Sequence, residues 1–417
     1  MHNQLGNLSE EIRSDLIRFT QQLIRVPSVS HNEGHVADCI QVVMEELNYD
    51  LVFRDEVGNV IGIIVGSEDG PALLLSSHMD TVNLNGDEGW SEDPFSGIVE
   101  NGRIYGLGAV DCKGGIASQI FAGHILEKSS LPFHGTLVVS ATAGEESRSG
   151  VGTRFLLENT LKRLGINPDV AILCEPTNLN LCCGHDGWVE VEIRFVDSEP
   201  LAGRRIADVI YQDFHGMAGH FMFKGKQHQL KVFEPQSRIQ GDKYEITVRV
   251  CLRVSMGESI EEHVCWARQH VHAVLEQFKN IRFEIRIRKE RKCLYAGEDV
   301  EVLYQASPWM TEAHQLIFDR AKEALWIAGH DSVEVRTQPL WGMGLGSSGS
   351  VLSDCYKIPT FGFGPGDSCV AYTPNEWVRT DDLVKSTFCT AMLMLALTDS
   401  SAFAWRTRSA FKHHPEL

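Results

Sequence analysis

Residues 71–78 read PALLLSSH, a continuous apolar run that ends in small polar residues and a histidine. A strand buried on both faces reads this way, because helices cover a parallel sheet on each side and no position alternates toward water. Its polar end then opens into the crevice beyond the carboxyl edge of the sheet, where α/β proteins bind ligands. Two further runs have the same form: GTLVVSATAGEE at 135–146 and DVAILCEP at 169–176. KGGIASQIFAGHILEK (113–128) and GVGTRFLLENTLKRLG (150–165) separate the three, and their apolar residues recur at helical spacing. Strand and helix alternate, which predicts an α/β domain with a mostly parallel sheet flanked by helices.

Working outward toward the N-terminus, LVFRD (51–55) and NVIGIIVG (59–66) add β-rich runs. Residues 8–25 predict an amphipathic helix, with Ser9 as N-cap, Glu10 and Glu11 in its first turn and Pro27 as its stop. A second helix is predicted over 33–48. Toward the C-terminus the texture changes at about residue 188. WVEVEIRF (188–195), YEITVRVCLRV (244–254) and IRFEIRIR (281–288) alternate as half-exposed strands do, with helical patterns at 202–213 and 258–279. This predicts an inserted α+β unit, two helices on one face of an antiparallel sheet. The domains are then 1–187 with 291–417, a discontinuous catalytic unit, and 188–290, the insert. Past the insert the α/β texture returns: a helix near 308–328, a glycine-rich loop at 342–349, a strand at 358–364 and a last helix over 380–397.

The bulk numbers agree. A chain of 417 residues is too long for one ordinary core and suits two domains. Its formal charge of −18 argues against nucleic-acid binding, which needs basic patches to neutralise phosphate. No run of 18 apolar residues predicts a membrane span. The first residues, MHNQLGNLSEEIR, have no apolar core of a secretory signal, and the 11 cysteines include no CxxC pair. Reduced thiols and a cytoplasmic location are expected.

Three strand ends deliver polar side chains to one edge of the sheet: His78 and Asp80 in SSHMD, Glu145 and Glu146 in TAGEES, and Glu175 in LCEP. Asp111 lies between the first two, in the glycine-rich turn GLGAVDCKGG. One imidazole and several carboxylates in a cleft are what a divalent metal needs. Taken singly, each piece has an ordinary alternative: a solvated helix start for Glu145–Glu146, or an N-cap for Asp111.

In this order the stretches SSHMDTV (76–82), GLGAVDCKGGIA (106–117), SATAGEESRSGVGT (140–153), LCEPT (173–177), GHDGWVEVEI (184–193), MGESIEEHV (256–264) and FGPG with TPNEWV (363–378) resemble the zinc-dependent M20 amidohydrolases and peptidases. The acetylornithine deacetylases, succinyl-diaminopimelate desuccinylases, aminoacylases and carboxypeptidase G2-like enzymes belong to that family. The resemblance implies a zinc-exopeptidase-like catalytic domain interrupted by a ferredoxin-like lid. It implies that His78 and Glu175 hold one metal, that Glu146 helps to hold a second, and that Asp111 bridges them. Asp80 would orient His78, and Glu145 would be the general base that takes a proton from the attacking water and returns it to the leaving nitrogen.

The chain departs from the family pattern in places. The family's last metal ligand is a His two residues before P-x-E; here, in AYTPNEWV (371–378), that position is Tyr372. A phenol ligates only as phenolate, and it is a harder ligand than imidazole; alternatively its hydroxyl donates to the oxyanion. The lid motif that supplies an oxyanion-binding His is missing from RFVDSEPLAGRRIADVI (194–210); His215, His220 and His228 follow in other contexts. A Ser348–Gly349 pair replaces the usual T/S-D pair. Arg253 is the candidate to clamp a substrate carboxylate.

The expected function is metal-dependent hydrolysis of an amide-type bond in a small N-acyl amino acid or dipeptide-like substrate, with one or two Zn2+ (Co2+ or Mn2+ as alternatives). The competing expectation is an altered or inactive member that binds a small ligand or performs non-hydrolytic amide chemistry. A homodimer through the lid is predicted.

Overall fold

The computed structural model describes residues 2–84, 89–147, 150–197, 200–219, 221–240, 243–276, 278, 282–312, 315–337 and 346–398. His220 of the sequence reading, and parts of the 342–349 loop, lie outside them.

The strand containing PALLLSSH, Glu68–His78, is central in a nine-stranded sheet. It runs parallel to His134–Thr142 on one side and to Val170–Leu173 on the other, and Thr360–Gly362 continues the parallel set. Antiparallel strands close both flanks: Leu51–Arg54 and Val60–Val65 at one, Leu181–His185 and Trp309–Met310 at the other. Successive side chains of a strand point to opposite faces. Leu73 and Leu75 accordingly enter one apolar core, with helices Gly114–Ser129 and Thr380–Thr398, whereas Leu74 enters another with Leu156, Leu161 and Leu352. Both faces are covered, which is why this strand reads as a continuous apolar run.

The insert is a second sheet, in the order Leu230–Gln240, Lys243–Val254, Gly187–Asp197, Phe283–Ile287, all antiparallel. Helices Pro200–Met217 and Ile260–Leu275 cover one face, where Val189, Val191, Ile193 and Phe195 pack with Val248, Ala267 and Val271. The intervening residues form ion pairs on the other face, Arg288 with Glu190 at 2.8 Å and Arg286 with Glu192 at 2.9 Å. This is the period-2 alternation seen in the sequence.

Local expectations differ in three places. The first helix is two, His2–Glu11 and Arg13–Arg25, and Ser9 does not cap: its hydroxyl donates backward to the Gly6 carbonyl at 2.8 Å. Pro27 does stop the second of them, since Val26 before it is extended. The helix near 308–328 begins only at Leu316, because Trp309–Met310 pairs with Gly184–His185 as an edge strand. Strand Leu230–Gln240 has no counterpart in the sequence reading. Pro235 lies in it, tolerated because this is an edge strand whose register shifts between Phe233 and Gln236.

Candidate metal centre

Because the central strands are parallel and in register, with His78 opposite Thr142 and Ser76 opposite Leu173, their carboxyl ends stop at one level. His78 is the last residue of its strand, Glu145 and Glu146 follow the next, and Glu175 follows the third. Strand Thr360–Gly362 leads into the loop carrying Tyr372, and Asp111 comes from the turn before helix Gly114–Ser129. The sheet thus brings the predicted residues together.

His78 is buried, and its Nδ1 donates to the main-chain carbonyl of Asp80 at 2.9 Å; the Asp80 carboxylate is farther, at 3.5 Å. A carbonyl only accepts, so Nδ1 carries the proton and Nε2 presents a lone pair. That Nε2 faces Asp111 Oδ1 at 2.9 Å. Two acceptors at this distance need a proton or a metal ion between them. Burial alone would lower the His78 pKa, but Cys112, Asp111 and Asp80 outweigh it and raise it well above its ordinary value.

The turn after the second strand is held from behind. The amide of Ala143 donates to Asn59 Oδ1 (2.9 Å), Gly144 to Glu33 Oε1 (3.0 Å), Glu145 to Asp80 Oδ1 (3.0 Å) and Glu146 to Asp80 Oδ2 (2.8 Å). Ser30 also donates to Asp80 Oδ2, at 2.6 Å. The carboxylate of Asp80 therefore sets the Glu145–Glu146 pair, while its carbonyl sets His78.

Burial and the neighbouring Asp80 and Asp111 push Glu145 up to about 8 against the pull of His78. Burial, then Asp111, holds Glu146 and Glu175 well above the carboxylate range. Glu146 Oε1 is buried without a hydrogen-bond partner. A cluster of carboxylates around one imidazole, with an orphaned oxygen, lacks positive charge. This donor set fits a divalent cation.

Tyr372 reaches the same place. The residue is 38% exposed, yet its phenol end is desolvated and faces Asp111, Glu146 and Glu145, which together raise its pKa well above the ordinary value. Its φ of 59° is left-handed, a strain of about 1–3 kcal/mol for a bulky residue, which the surroundings must impose.

Sequence reasoning missed the residues behind this layer. Glu376, buried, accepts the amides of Val110 (2.8 Å) and Asp111 (3.2 Å) through Oε1 and so fixes the Asp111 turn. It was visible in TPNEWV, but only the fold shows what it holds. Cys112 shares a ligand-sized cluster with His78 and Asp111, yet its thiol is committed to the His78 main chain, accepting from N and donating to O, both at 3.2 Å. Lys113 is fully buried, donates to the Val26 carbonyl at 2.7 Å, and is pushed down to about 7 by that burial.

A cleft beside the centre is lined by Glu145, Glu146, Arg154, Trp188, Gln305 and Ser347 among others. Ser347 Oγ lies 2.7 Å from Nε2 of buried His185, whose Nδ1 donates to the Asp186 carbonyl at 2.8 Å. Arg253, the predicted clamp, is 5% exposed beside Asp186 and does not line this cleft; Arg154 is the cation that does.

The family model for peptidase family M20/M25/M40 matches residues 74–396. The chain belongs to that family. This M20 protein is 26% identical over 405 residues to the uncharacterized protein YgeY of Escherichia coli K12, covering 92% of this chain and 94% of the relative. It is 32% identical over 215 residues to the succinyl-diaminopimelate desuccinylase of Wolinella succinogenes, about half of each chain (52% and 53%). Its fold matches human carnosine dipeptidase 1 (TM-score 0.70, 11% identity, 95% of this chain and 98% of that one). It also matches the YXEP protein of Bacillus subtilis, described as a dinuclear metal binding M20 peptidase (TM-score 0.66, 16% identity, 93% and 99%). As an M20 member it is a hydrolase of the metallopeptidase and amidohydrolase class, and the residues described above are its candidate metal ligands.

Proposed function

We propose that this protein hydrolyses an amide-type bond in a small N-acyl amino acid or dipeptide-like substrate, with Glu145 as general base. The observation that carries the reading is the convergence of His78, Asp111, Glu146 and Glu175 beside Glu145, at the mouth of a cleft that also presents Arg154. His78, Asp111, Glu146 and Glu175 would hold one or two divalent ions, zinc by donor preference with cobalt and manganese as alternatives. Bound there, the metal supplies Lewis acidity and lowers the pKa of water.

The chain's own residues do the rest. Glu145, ionised beside a bound cation, would accept a proton from the attacking water and return it to the leaving nitrogen. Asp80 and Glu33 hold its loop still. Arg154 attracts a substrate carboxylate at the cleft wall. A screen of N-acyl amino acids and dipeptides with free and amidated C-termini tests the reading: turnover is expected, slower on the amidated set. Tight binding without turnover across the screen would favour the ligand-binding alternative instead.

Tyr372 stands beside Asp111, Glu146 and Glu145; burial and their negative charge raise its pKa well above the ordinary phenol value, which supports a donor role rather than ligation as phenolate. In the reaction it would turn its proton toward the developing oxyanion. Tyr372→Phe is expected to keep the metal content of the parent and lose about 100-fold in kcat. Loss of a metal equivalent, measured by elemental mass spectrometry, would make Tyr372 a ligand.

We infer further that the chain works in the cytoplasm, where its 11 cysteines, none of them in a disulfide, stay reduced. We also infer that it forms a homodimer through the lid. Edge strand Leu230–Gln240 supports this, with Ile239 69% exposed on it. Sedimentation velocity at micromolar concentration should give a dimer; a monomer there ends the idea.

A further inference from the structure

A second cluster of metal-ligating side chains lies in the lid, apart from the residues of the catalytic reading. His228 Nε2 is 2.8 Å from Glu258 Oε2, and His263 Nε2 is 3.4 Å from the same oxygen. The ligand atoms of these three residues all lie within 4.8 Å of one another. Both histidines are buried, 4% and 0% exposed.

The tautomers decide what such a cluster can bind. His228 Nδ1 donates to the Lys226 carbonyl and His263 Nδ1 to the Ser259 carbonyl, each at 3.0 Å. Carbonyls only accept, so both Nδ1 atoms carry the protons. Two Nε2 lone pairs therefore converge on a carboxylate oxygen. Ser255 Oγ, 3.3 Å from His228 Nε2, adds a fourth polar atom. One proton on His228 satisfies the shorter contact but leaves His263 Nε2 buried without a hydrogen-bond partner, as it stands here. A ligating histidine that donates its other ring nitrogen to a backbone carbonyl is the usual arrangement around a bound metal. A tetrahedral zinc with bonds of about 2.0–2.2 Å spaces its ligands roughly 3.3–3.5 Å apart, a separation two of these contacts already have.

We propose that His228, Glu258 and His263 form a structural zinc site in the lid, completed by Ser255 or a water that it holds. The rings of Phe223, with centroid 4.2 Å from that of His263, and Phe221, 5.8 Å from His228, wall it with apolar surface. All three side chains are at most 5% exposed, which leaves no open position for substrate and assigns the site to stability rather than turnover. The ion would tie the segment after hairpin Met222–Gln227 to the N-terminus of helix Ile260–Leu275. It would also fix the 255–258 turn, whose Met256 amide donates to Asp186 Oδ1 at 3.1 Å, at the start of the lid.

The test separates this site from the catalytic one. In the full chain, the double variant His78→Ala/Asp111→Ala is dialysed against zinc and its metal content read by elemental mass spectrometry. One tightly held equivalent is expected, and cobalt in its place should give the intense visible bands of a tetrahedral ion. Adding His263→Gln or Glu258→Gln should remove that equivalent and its zinc-dependent rise in Tm. A double variant that binds no zinc, or one whose zinc survives both added substitutions, overturns the proposal. Because the first arm leaves the lid intact, failure of the double variant to hold zinc overturns the proposal even where a lid variant fails to fold.

Discussion

Glu145→Gln is expected to lower kcat/KM by about a hundred- to ten-thousand-fold while metal content stays at the parent level, the range for loss of a general base. Glutamine keeps the volume of the side chain, and the Glu145 amide keeps its bond to Asp80, so the turn should not move. What disappears is the group that can take a proton. Folding stability should hold or rise, since a carboxylate that burial and its neighbours push up to about 8 is replaced by a neutral amide. Single-turnover kinetics beside elemental analysis make the distinction. Parent-level activity in this variant would sink Glu145 as the base; loss of metal together with activity would make it a ligand.

Asp80→Ala should do comparable damage by another route. The carboxylate is fully buried and accepts from the Glu145 amide, the Glu146 amide and the Ser30 hydroxyl. Three half-buried donors without acceptors each cost up to about 1–3 kcal/mol, so a loss of about 3 kcal/mol is expected on chemical denaturation. That is a large share of the 5–15 kcal/mol by which domains are stable, in order-of-magnitude terms. Activity should fall with it, because Glu145 and Glu146 lose the support that aims them. Asp80→Asn keeps one acceptor oxygen but turns an NH2 group toward an N–H donor, and it should lie between parent and alanine variant. Parent-like denaturation by Asp80→Ala would show that the turn stands without its anchor.

The parts legible in the sequence were those where local pattern and tertiary role coincide. PALLLSSH announces a covered strand, and its last residue is at the mouth of the site because strand ends are where side chains leave the sheet. The same logic exposed Glu145, Glu146 and Glu175. Glu376 was not legible: its carboxylate serves amides more than 260 positions earlier in the chain. Cys112 and Lys113 sat inside a quoted motif, but whether a thiol ligates or a lysine points inward is settled by contacts from elsewhere. Arg253 matched a motif without facing the cleft, whereas Arg154, in a helix read only for its apolar period, lines it. Strand Leu230–Gln240 was hidden by Pro235, a residue that sequence logic counts against a strand and that a bulged edge accepts.

Four consecutive amides, from Ala143 to Glu146, give their protons to Asn59, Glu33 and Asp80, all on other elements. A loop tethered at every rung does not wait for an ion to shape it. A divalent ion bound beside it would spend little of its binding energy on ordering this turn. The chain's own hydrogen bonds, rather than a bound ion, therefore set the geometry of this turn.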